Sequence, residues 1–126
     1  STFTQYLVYQ VANNSWMKTH INKIRKTYKE RRDIMLNALE QYMPEGVRWT
    51  KPKGGLFLWA TLPASIDTGA IFKSAVEARV AFVPGGPFHP QGGGENTMRL
   101  NFSNAKPELI KEGIKRLAKV IKESLN

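Results

Sequence analysis

Apolar and polar residues alternate along residues 96–108, NTMRLNFSNAKPE, with the period of two that is typical of a half-buried β-strand. Met98, Leu100 and Phe102 belong to the apolar set, whereas Arg99 lies at the centre of the opposite set. The pattern predicts a strand with its apolar side chains in the core and a guanidinium on the other face. An arginine at that place needs an explanation, because the strand is otherwise strongly apolar.

Helical periodicity covers much of the remaining chain. A short helix is predicted over residues 4–13, and a long one follows and runs to about Met43, where Pro44 and Gly46 end it. The long helix is expected to pack across a sheet through one apolar stripe. The residues of this stripe are Met17, Ile21, Ile24, Tyr28, Met35, Leu39 and Tyr42.

Two shorter helices are predicted further along the chain. Asp67 or Thr68 is expected to cap the first of them, and Pro107 suits the first turn of the second, with Glu108 beside the positive end of its dipole. Their apolar faces are Ile71, Phe72, Ala75 and Val76 in the first helix, and Leu109, Ile110, Ile114, Leu117 and Ile121 in the second.

Three further strands are predicted, over residues 47–50, 56–62 and 80–84. The complete order of elements predicts an α/β (α+β) two-layer sandwich, with a small mixed, largely antiparallel sheet and helices mainly on one face. A chain of 126 residues is long enough for a real core, because folding at that size buries about two-thirds of the unfolded chain's surface. We expect residues 1–126 to form a single domain.

Composition excludes several classes of function. Cysteine is absent, which removes disulfides, zinc–thiolate sites and cysteine nucleophiles. No apolar run approaches the ~20 residues that a membrane span needs, and the N-terminus lacks the layout of a signal peptide, so a cytoplasmic protein with no membrane partner is the default expectation. The chain also lacks an initiator methionine, which fits either a piece of a longer protein or a processed start.

The charge balance is strongly basic, at a net +9. The basic residues concentrate in residues 18–32 and 106–122, where helical periodicity predicts that they form solvated helix faces. A nucleic-acid surface is the competing interpretation, but no zinc-finger, RRM or base-stacking aromatic pattern supports it. The two histidines, His20 and His89, lie far apart, so no metal site is expected.

Arg99 is the main candidate for a binding function. Taken alone, it is a solvent-facing or ion-paired arginine. The stretch VAFVPGGPF precedes Arg99 in the sequence. Its predicted strand ends in a Pro-Gly-Gly turn, which allows close approach of the backbone. A guanidinium on a strand beside such a turn is suited to holding a carboxylate through two parallel hydrogen bonds. His89, in the loop after this turn, is expected to be incidental.

The turn KPKGG poses a similar choice. In the structural interpretation, Gly54 and Gly55 supply positive φ and either Phe57 or Trp59 packs in the core. In the functional interpretation, the two glycines bring the backbone near a ligand, and one aromatic side chain lines the pocket. Neither glycine pair belongs to a phosphate-binding motif.

Three stretches, in this order, resemble the C-terminal small domain of fold type I pyridoxal-phosphate-dependent aminotransferases. They are YKERRDIMLNALEQYMPEGVRWTKPKGGLFLWATLP, VAFVPGGPF and MRLNFSNAKPELIKEGIKRLAKVI. The resemblance covers nearly the whole chain and is greatest for the branch of aminoadipate and aromatic aminotransferases and MocR-type regulators. It implies that Arg99 binds the α-carboxylate of an amino-acid substrate. The substrate-binding residues that it implies are Arg99, Gly54, Gly55, Phe57 and Phe88, with Pro84 and Gly85 near the mouth of the site.

The resemblance also implies what the rest of the protein contains. The full-length parent is expected to bind pyridoxal 5′-phosphate, to act on amino-acid and 2-oxo-acid substrates, and to form a homodimer. In the family, the Schiff-base lysine lies in a Ser-x-x-Lys-like stretch upstream of the segment that STFTQYL resembles, and no lysine of this chain lies there. The chain is therefore expected to be a fragment with no catalytic residue and no bound cofactor, inactive by itself.

Two other functions stay open. In MocR-type regulators, a similar domain belongs to an effector-sensing half that is fused to an N-terminal DNA-binding domain, and an upstream winged helix would indicate that case. A stand-alone basic binding module for nucleic acid is the second, and a steep salt dependence of DNA binding would indicate it.

Overall fold

The fold comprises three α-helices and a four-stranded sheet in the residues that the computed structural model describes, 15–103 and 105–126. The helices are α1, Ser15–Tyr42, α2, Thr68–Glu77, and α3, Pro107–Leu125. The strands are β1, Arg48–Trp49, β2, Phe57–Thr61, β3, Val83–Pro84, and β4, Thr97–Asn101. A short 3₁₀ helix covers Gly86–Phe88. The helix predicted over residues 4–13 lies outside the described residues.

The strands form one sheet in the order β1-β2-β4-β3. Each neighbouring pair is antiparallel, so the sheet has no parallel pair in the described chain. The longest pairing joins β2 to β4, with Leu58 opposite Leu100 and Trp59 opposite Arg99. The predicted fold class is confirmed, and the sheet is more uniform than the mixed arrangement that the sequence allowed.

The core lies between the three helices and one face of the sheet. Leu58 and Ala60 of β2 and Met98 and Leu100 of β4 are buried together with the apolar faces of α2 and α3. The strand predicted around Arg99 is thus confirmed, with its apolar set inside. The expectation that Phe57 or Trp59 packs in the core is wrong, since strand alternation places both of them on the opposite face.

The apolar stripe of α1 is fully buried only in the second half of the helix. Met35 and Leu39 lie in the core, whereas Met17, Ile21 and Tyr28 are partly buried and Ile24 is 38% exposed. The reason is length: a helix of 28 residues is about 42 Å long, while a strand of five residues spans about 17 Å. The first turns of α1 therefore have no sheet beneath them in the described part of the chain, and the stripe prediction holds only for the C-terminal turns.

The starts of the other two helices follow their capping residues. Asp67 is the N-cap of α2, and its carboxylate accepts a hydrogen bond from the backbone N–H of Gly69 at 2.8 Å. Thr68 does not cap; it is fully buried, and its hydroxyl donates to the carbonyl oxygen of Thr97 at 2.7 Å. Pro107 lies in the first turn of α3, as predicted.

Three apolar positions predicted to face the core from these two helices are exposed instead. They are Phe72, Val76 and Leu109.

Two of the basic residues of α1 are not simply solvated. Arg31 donates to the carbonyl oxygen of Ser103, and Arg32 donates to that of Pro52 at 2.9 Å. Both are partly buried, because each guanidinium reaches from the helix to a loop at the end of a strand. The expectation of a solvated face is wrong for these two arginines.

The strand predicted over residues 80–84 is shorter in the structure, because the end of α2 uses part of it. The backbone N–H groups of Arg79 and Val80 donate to the carbonyl oxygens of Val76 and Ala75, which is the Schellman pattern. Only Val83–Pro84 pairs with β4. Arg79 has a φ of 63° and occupies the left-handed position where such motifs usually have glycine.

We therefore expect Arg79→Gly to stabilise the protein by about 0.5–1 kcal/mol, because glycine adopts positive φ without a Cβ penalty. Denaturant unfolding measures the change. Lys73→Gly, inside α2 at an ordinary helical φ, is the matched control and is expected to destabilise by about 1 kcal/mol. Equal effects of the two substitutions would contradict the strain at Arg79.

Candidate carboxylate-binding site

The outer face of the sheet carries a cluster of aromatic side chains around one cation. Phe57 and Trp59 of β2 project to this face together with Arg99 of β4. Arg99 is paired with Trp59 on one side and with Val83 of β3 on the other, so it lies at the centre of the sheet. We call the side chains of Arg99, Phe57, Trp59 and Phe88 the outer-face cluster.

Aromatic rings are the close neighbours of the guanidinium. The Cζ atom of Arg99 lies over the ring of Phe57, 4.1 Å from its centroid, and 5.6 Å from the centroid of Phe88. Both distances are within the range of cation–π attraction. Trp59 meets the edge of Phe88, with centroids 5.3 Å apart and planes at 85°. The rings and the cation thus form one connected group.

The guanidinium itself has no polar partner among residues 15–103 and 105–126. No ion pair or hydrogen bond joins Arg99 to any of them, whereas Arg32 pairs with Asp33 at 3.3 Å and Arg116 with Glu112 at 3.1 Å. Arg99 is also partly buried. Its planar fork of N–H donors therefore remains available for an anion of matching shape, and a carboxylate has that shape.

The loop after β3 sets the position of Phe88. The N–H of Gly85 donates to the carbonyl oxygen of Thr97 at 2.9 Å, and the N–H of Phe88 donates to that of Gly85 at 3.0 Å. A Cβ on Gly85 would lie 1.8 Å from the hydroxyl oxygen of Thr97, so only glycine allows this approach. The loop is therefore packed directly on β4 next to Arg99.

His89 supports the same loop. Its Nδ1 lies 3.0 Å from the carbonyl oxygen of Gly85, at hydrogen-bond distance. Gly94 has a φ of 73°, and a Cβ there would lie 2.1 Å from the His89 ring. The histidine that the sequence marks as incidental thus contacts both ends of the glycine-rich loop.

Gly54 and Gly55 lie at a different place. They line an open groove of about 580 Å³ together with Phe102, Lys53 and basic residues of α1. Gly55 has the positive φ that the turn requires, at 82°, whereas Gly54 does not. Of the predicted site residues, the structure brings Arg99, Phe57 and Phe88 together, and it sets the two glycines apart in this groove.

Trp59 belongs to the outer-face cluster, although the sequence left open whether it or Phe57 would pack in the core or line a pocket. It shares the parity of Phe57 along β2, and that signal was present in the sequence. Its place opposite Arg99 depends on the register of β2 against β4, which alternation alone does not give.

Other kinds of site find no support in the part of the chain that the structure describes. No three acidic or histidine side chains there are grouped so that they could hold a metal ion. None of the described helices has the length and apolar character that crossing a membrane requires. Lys18 and Lys106 each follow a serine by three residues, but both are exposed.

Comparison with known proteins identifies the family. The model for aminotransferase class I and II matches residues 1–117. An aromatic-amino-acid aminotransferase of Thermococcus litoralis is 50% identical over 125 residues, which are 99% of this chain and 30% of that protein. The chain belongs to the aminotransferase class I and II family, as the resemblance implied, and spans about 30% of the length of such relatives.

Solved structures agree. The multiple substrate aminotransferase of Thermococcus profundus has a TM-score of 0.89 at 50% identity, over 98% of this chain and 31% of its own. The α-aminoadipate aminotransferase of Thermus thermophilus, complexed with N-(5′-phosphopyridoxyl)-L-leucine, has a TM-score of 0.86 at 41% identity, over 96% of this chain and 31% of its own.

Among sequence relatives, an HTH-type transcriptional regulator of Bacillus subtilis is similar at a lower level. It is 29% identical over 98% of this chain and 25% of its own.

The tight approach of Gly85 to Thr97 gives a prediction for the loop. Gly85→Ala is expected to lower the free energy of unfolding by about 1–3 kcal/mol, since the new methyl group forces the loop and β4 apart. Gly54→Ala is the matched control, because it has open space and an ordinary φ, and it is expected to change stability by less than about 1 kcal/mol. Thermal or denaturant unfolding compares them, and equal effects would contradict the close contact.

Proposed function

We propose that this chain is the C-terminal small domain of a pyridoxal-phosphate-dependent aminotransferase and supplies the group that binds the substrate carboxylate. The observation that carries the proposal is Arg99, a partly buried cation at the centre of a sheet with no carboxylate partner in the described chain. Membership of the aminotransferase family gives that cation an expected ligand, the α-carboxylate that every α-amino acid and 2-oxo acid carries.

The chemistry of the chain's own residues is binding and orientation. Two parallel N–H···O hydrogen bonds from Arg99 would fix the plane of a carboxylate and the direction of its Cα. Such positioning lowers a barrier by holding the reacting atoms in place, and it contributes several kcal/mol in favourable cases. Gly54 and Gly55 stay proposed contacts of the substrate side chain, and they line a groove apart from the outer-face cluster.

The described residues do not fit the cofactor itself. Two lysines have a serine three residues before them, Lys18 and Lys106, and both are exposed, while the outer-face cluster offers rings and one guanidinium. Pyridoxal phosphate supplies an electron sink when it is bound to an aminotransferase. We propose that residues outside this chain hold it in the parent protein, which we expect to be a cytoplasmic homodimer.

A regulator is the second candidate, favoured by the similarity to an HTH-type transcriptional regulator. That similarity is 29%, against 50% for the aromatic aminotransferase, so the enzyme is the better supported proposal. A DNA-binding domain upstream of this chain in the parent protein would decide for the regulator. The stand-alone basic module has less support, because Arg31 and Arg32 bind carbonyl oxygens within the domain.

Arg99→Ala in the full-length protein is expected to raise KM for the amino acid and to lower kcat/KM by at least ~10-fold, because a bidentate charge-assisted contact is lost. Steady-state kinetics with an amino acid and 2-oxoglutarate measures both. Arg48→Ala, which removes an exposed arginine of β1 outside the cluster, is the control and is expected to leave kcat/KM unchanged. An unchanged kcat/KM for Arg99→Ala would refute the assignment.

The 126 residues alone are expected not to transaminate, because the lysine that the family uses is not among them. The purified chain is incubated with pyridoxal phosphate, an amino acid and 2-oxoglutarate, and formation of the new 2-oxo acid is followed. The full-length protein in the same assay is the positive control. Robust turnover by the chain alone would overturn the proposal that the catalytic lysine and the cofactor site lie outside these residues.

A further inference from the structure

We propose that Phe57 and Phe88 are positioning residues that hold the Arg99 guanidinium for its ligand, and that they act through the arginine rather than on the substrate side chain. This inference rests on the proposed function, in which Arg99 binds the carboxylate. It assigns to the two rings a role different from the substrate contact that the family resemblance implies for them.

The first support is the geometry of Phe57. Its Cα partner across the β2–β4 pairing is Asn101, so Phe57 and Arg99 are diagonal neighbours on one face of the sheet. Aromatic and long side chains reach each other at that spacing. The Cζ atom of Arg99 is 4.1 Å from the ring centroid, which is van der Waals contact with the face of the ring.

The second support is that Phe88 is itself fixed. Its ring meets Trp59 edge-on at 5.3 Å, and its backbone N–H is bonded to Gly85, which packs on β4. The ring lies 5.6 Å from the Arg99 Cζ atom. Phe88 thus reaches the guanidinium from a loop that is anchored on the same strand as the arginine.

The third support comes from the kind of neighbour that surrounds the cation. An aspartate or glutamate would also orient an arginine, but it would occupy the N–H donors, as Glu112 does for Arg116 at 3.1 Å. An aromatic face attracts the charge and accepts no in-plane N–H···O bond. Rings therefore orient Arg99 while its donors stay free for a carboxylate.

Positioning has an energetic reason. Arginine has about 2 kcal/mol of rotamer entropy, part of which is lost when it binds a ligand. A guanidinium that is already stacked has less freedom to lose, so the ligand binds more tightly. Loss of the ring should therefore weaken binding of any carboxylate substrate, whatever its side chain.

The test uses the full-length protein with one aromatic and one acidic amino acid as substrates. Phe57→Leu keeps an apolar side chain and removes the ring. We expect KM to rise about 3–10-fold for both substrates, with kcat changed by less than about twofold, in keeping with the strength of a partly buried cation–π contact. Phe57→Tyr retains the ring and is expected to restore KM to within about twofold of the original value.

Phe72→Leu is the matched control. Phe72 is 37% exposed, against 38% for Phe57, and it stacks edge-on with Phe82 rather than with a cation. We expect no change in KM for either substrate. Phe88→Leu provides a second variant in case Phe57→Leu does not fold, and thermal unfolding of each variant identifies that case.

A second measurement separates positioning from direct contact. In the Arg99→Lys background, Phe57→Leu is expected to change KM by less than about twofold, because the planar group that the ring stacks on is already gone. If Phe57→Leu raises KM by the same factor in the Arg99→Lys background as in the original protein, the inference is overturned. A loss confined to one of the two substrates would overturn it as well, since the ring would then contact that substrate's side chain.

The inference and the proposed function fail in different ways. If Arg99→Ala lowers kcat/KM while Phe57→Leu and Phe88→Leu both leave KM unchanged, the carboxylate site stands and the positioning role is refuted. If Arg99→Ala itself has no effect, the proposed function is refuted, and the positioning role fails with it.

Discussion

The antiparallel pairing of β2 with β4 is the constraint on which the rest of the structure depends. With Leu58 opposite Leu100 and Trp59 opposite Arg99, one face of both strands is apolar and the other carries the cation and its rings. A slip of β4 by one residue would turn Arg99 into the core, where an unpaired charge costs several kcal/mol. The register that builds the core is therefore the same one that builds the site.

The carbonyl oxygen of Thr97, at the start of β4, connects two neighbouring elements to this strand. It accepts hydrogen bonds from the Thr68 hydroxyl at 2.7 Å and from the Gly85 N–H at 2.9 Å. The first turn of α2 and the loop that carries Phe88 are thus attached to one point, two residues from Arg99. The side chain of Thr97 also fills the space that a Cβ on Gly85 would need. The precision of the outer-face cluster comes from these short connections.

The sequence predicted those features that depend on local pattern. Alternation predicted the two faces of β4, and capping residues predicted the helix starts near Asp67 and Pro107. The sequence did not predict the features that depend on residues distant along the chain. Whether Phe57 or Trp59 enters the core depends on which face of β2 meets the helices, and the carbonyl contacts of Arg31 and Arg32 depend on loops brought near α1 by folding. The incomplete burial of the first half of α1 reflects the short strands of the sheet, which periodicity along a helix does not reveal.

The balance of energies around Arg99 explains what a site of this kind can recognise. A cation–π contact contributes about 0.5–2 kcal/mol, and each charge-assisted hydrogen bond contributes about 1.5–3 kcal/mol. The rings can therefore orient the guanidinium, but two parallel bonds to a carboxylate outweigh them and decide what binds. In the proposed function, that carboxylate is common to all α-amino acids, so its contact with Arg99 carries no information about the substrate's side chain. Under that proposal, discrimination between substrates comes from groups that contact the substrate's side chain, and a domain whose central contact binds only the common carboxylate can be combined with many such groups.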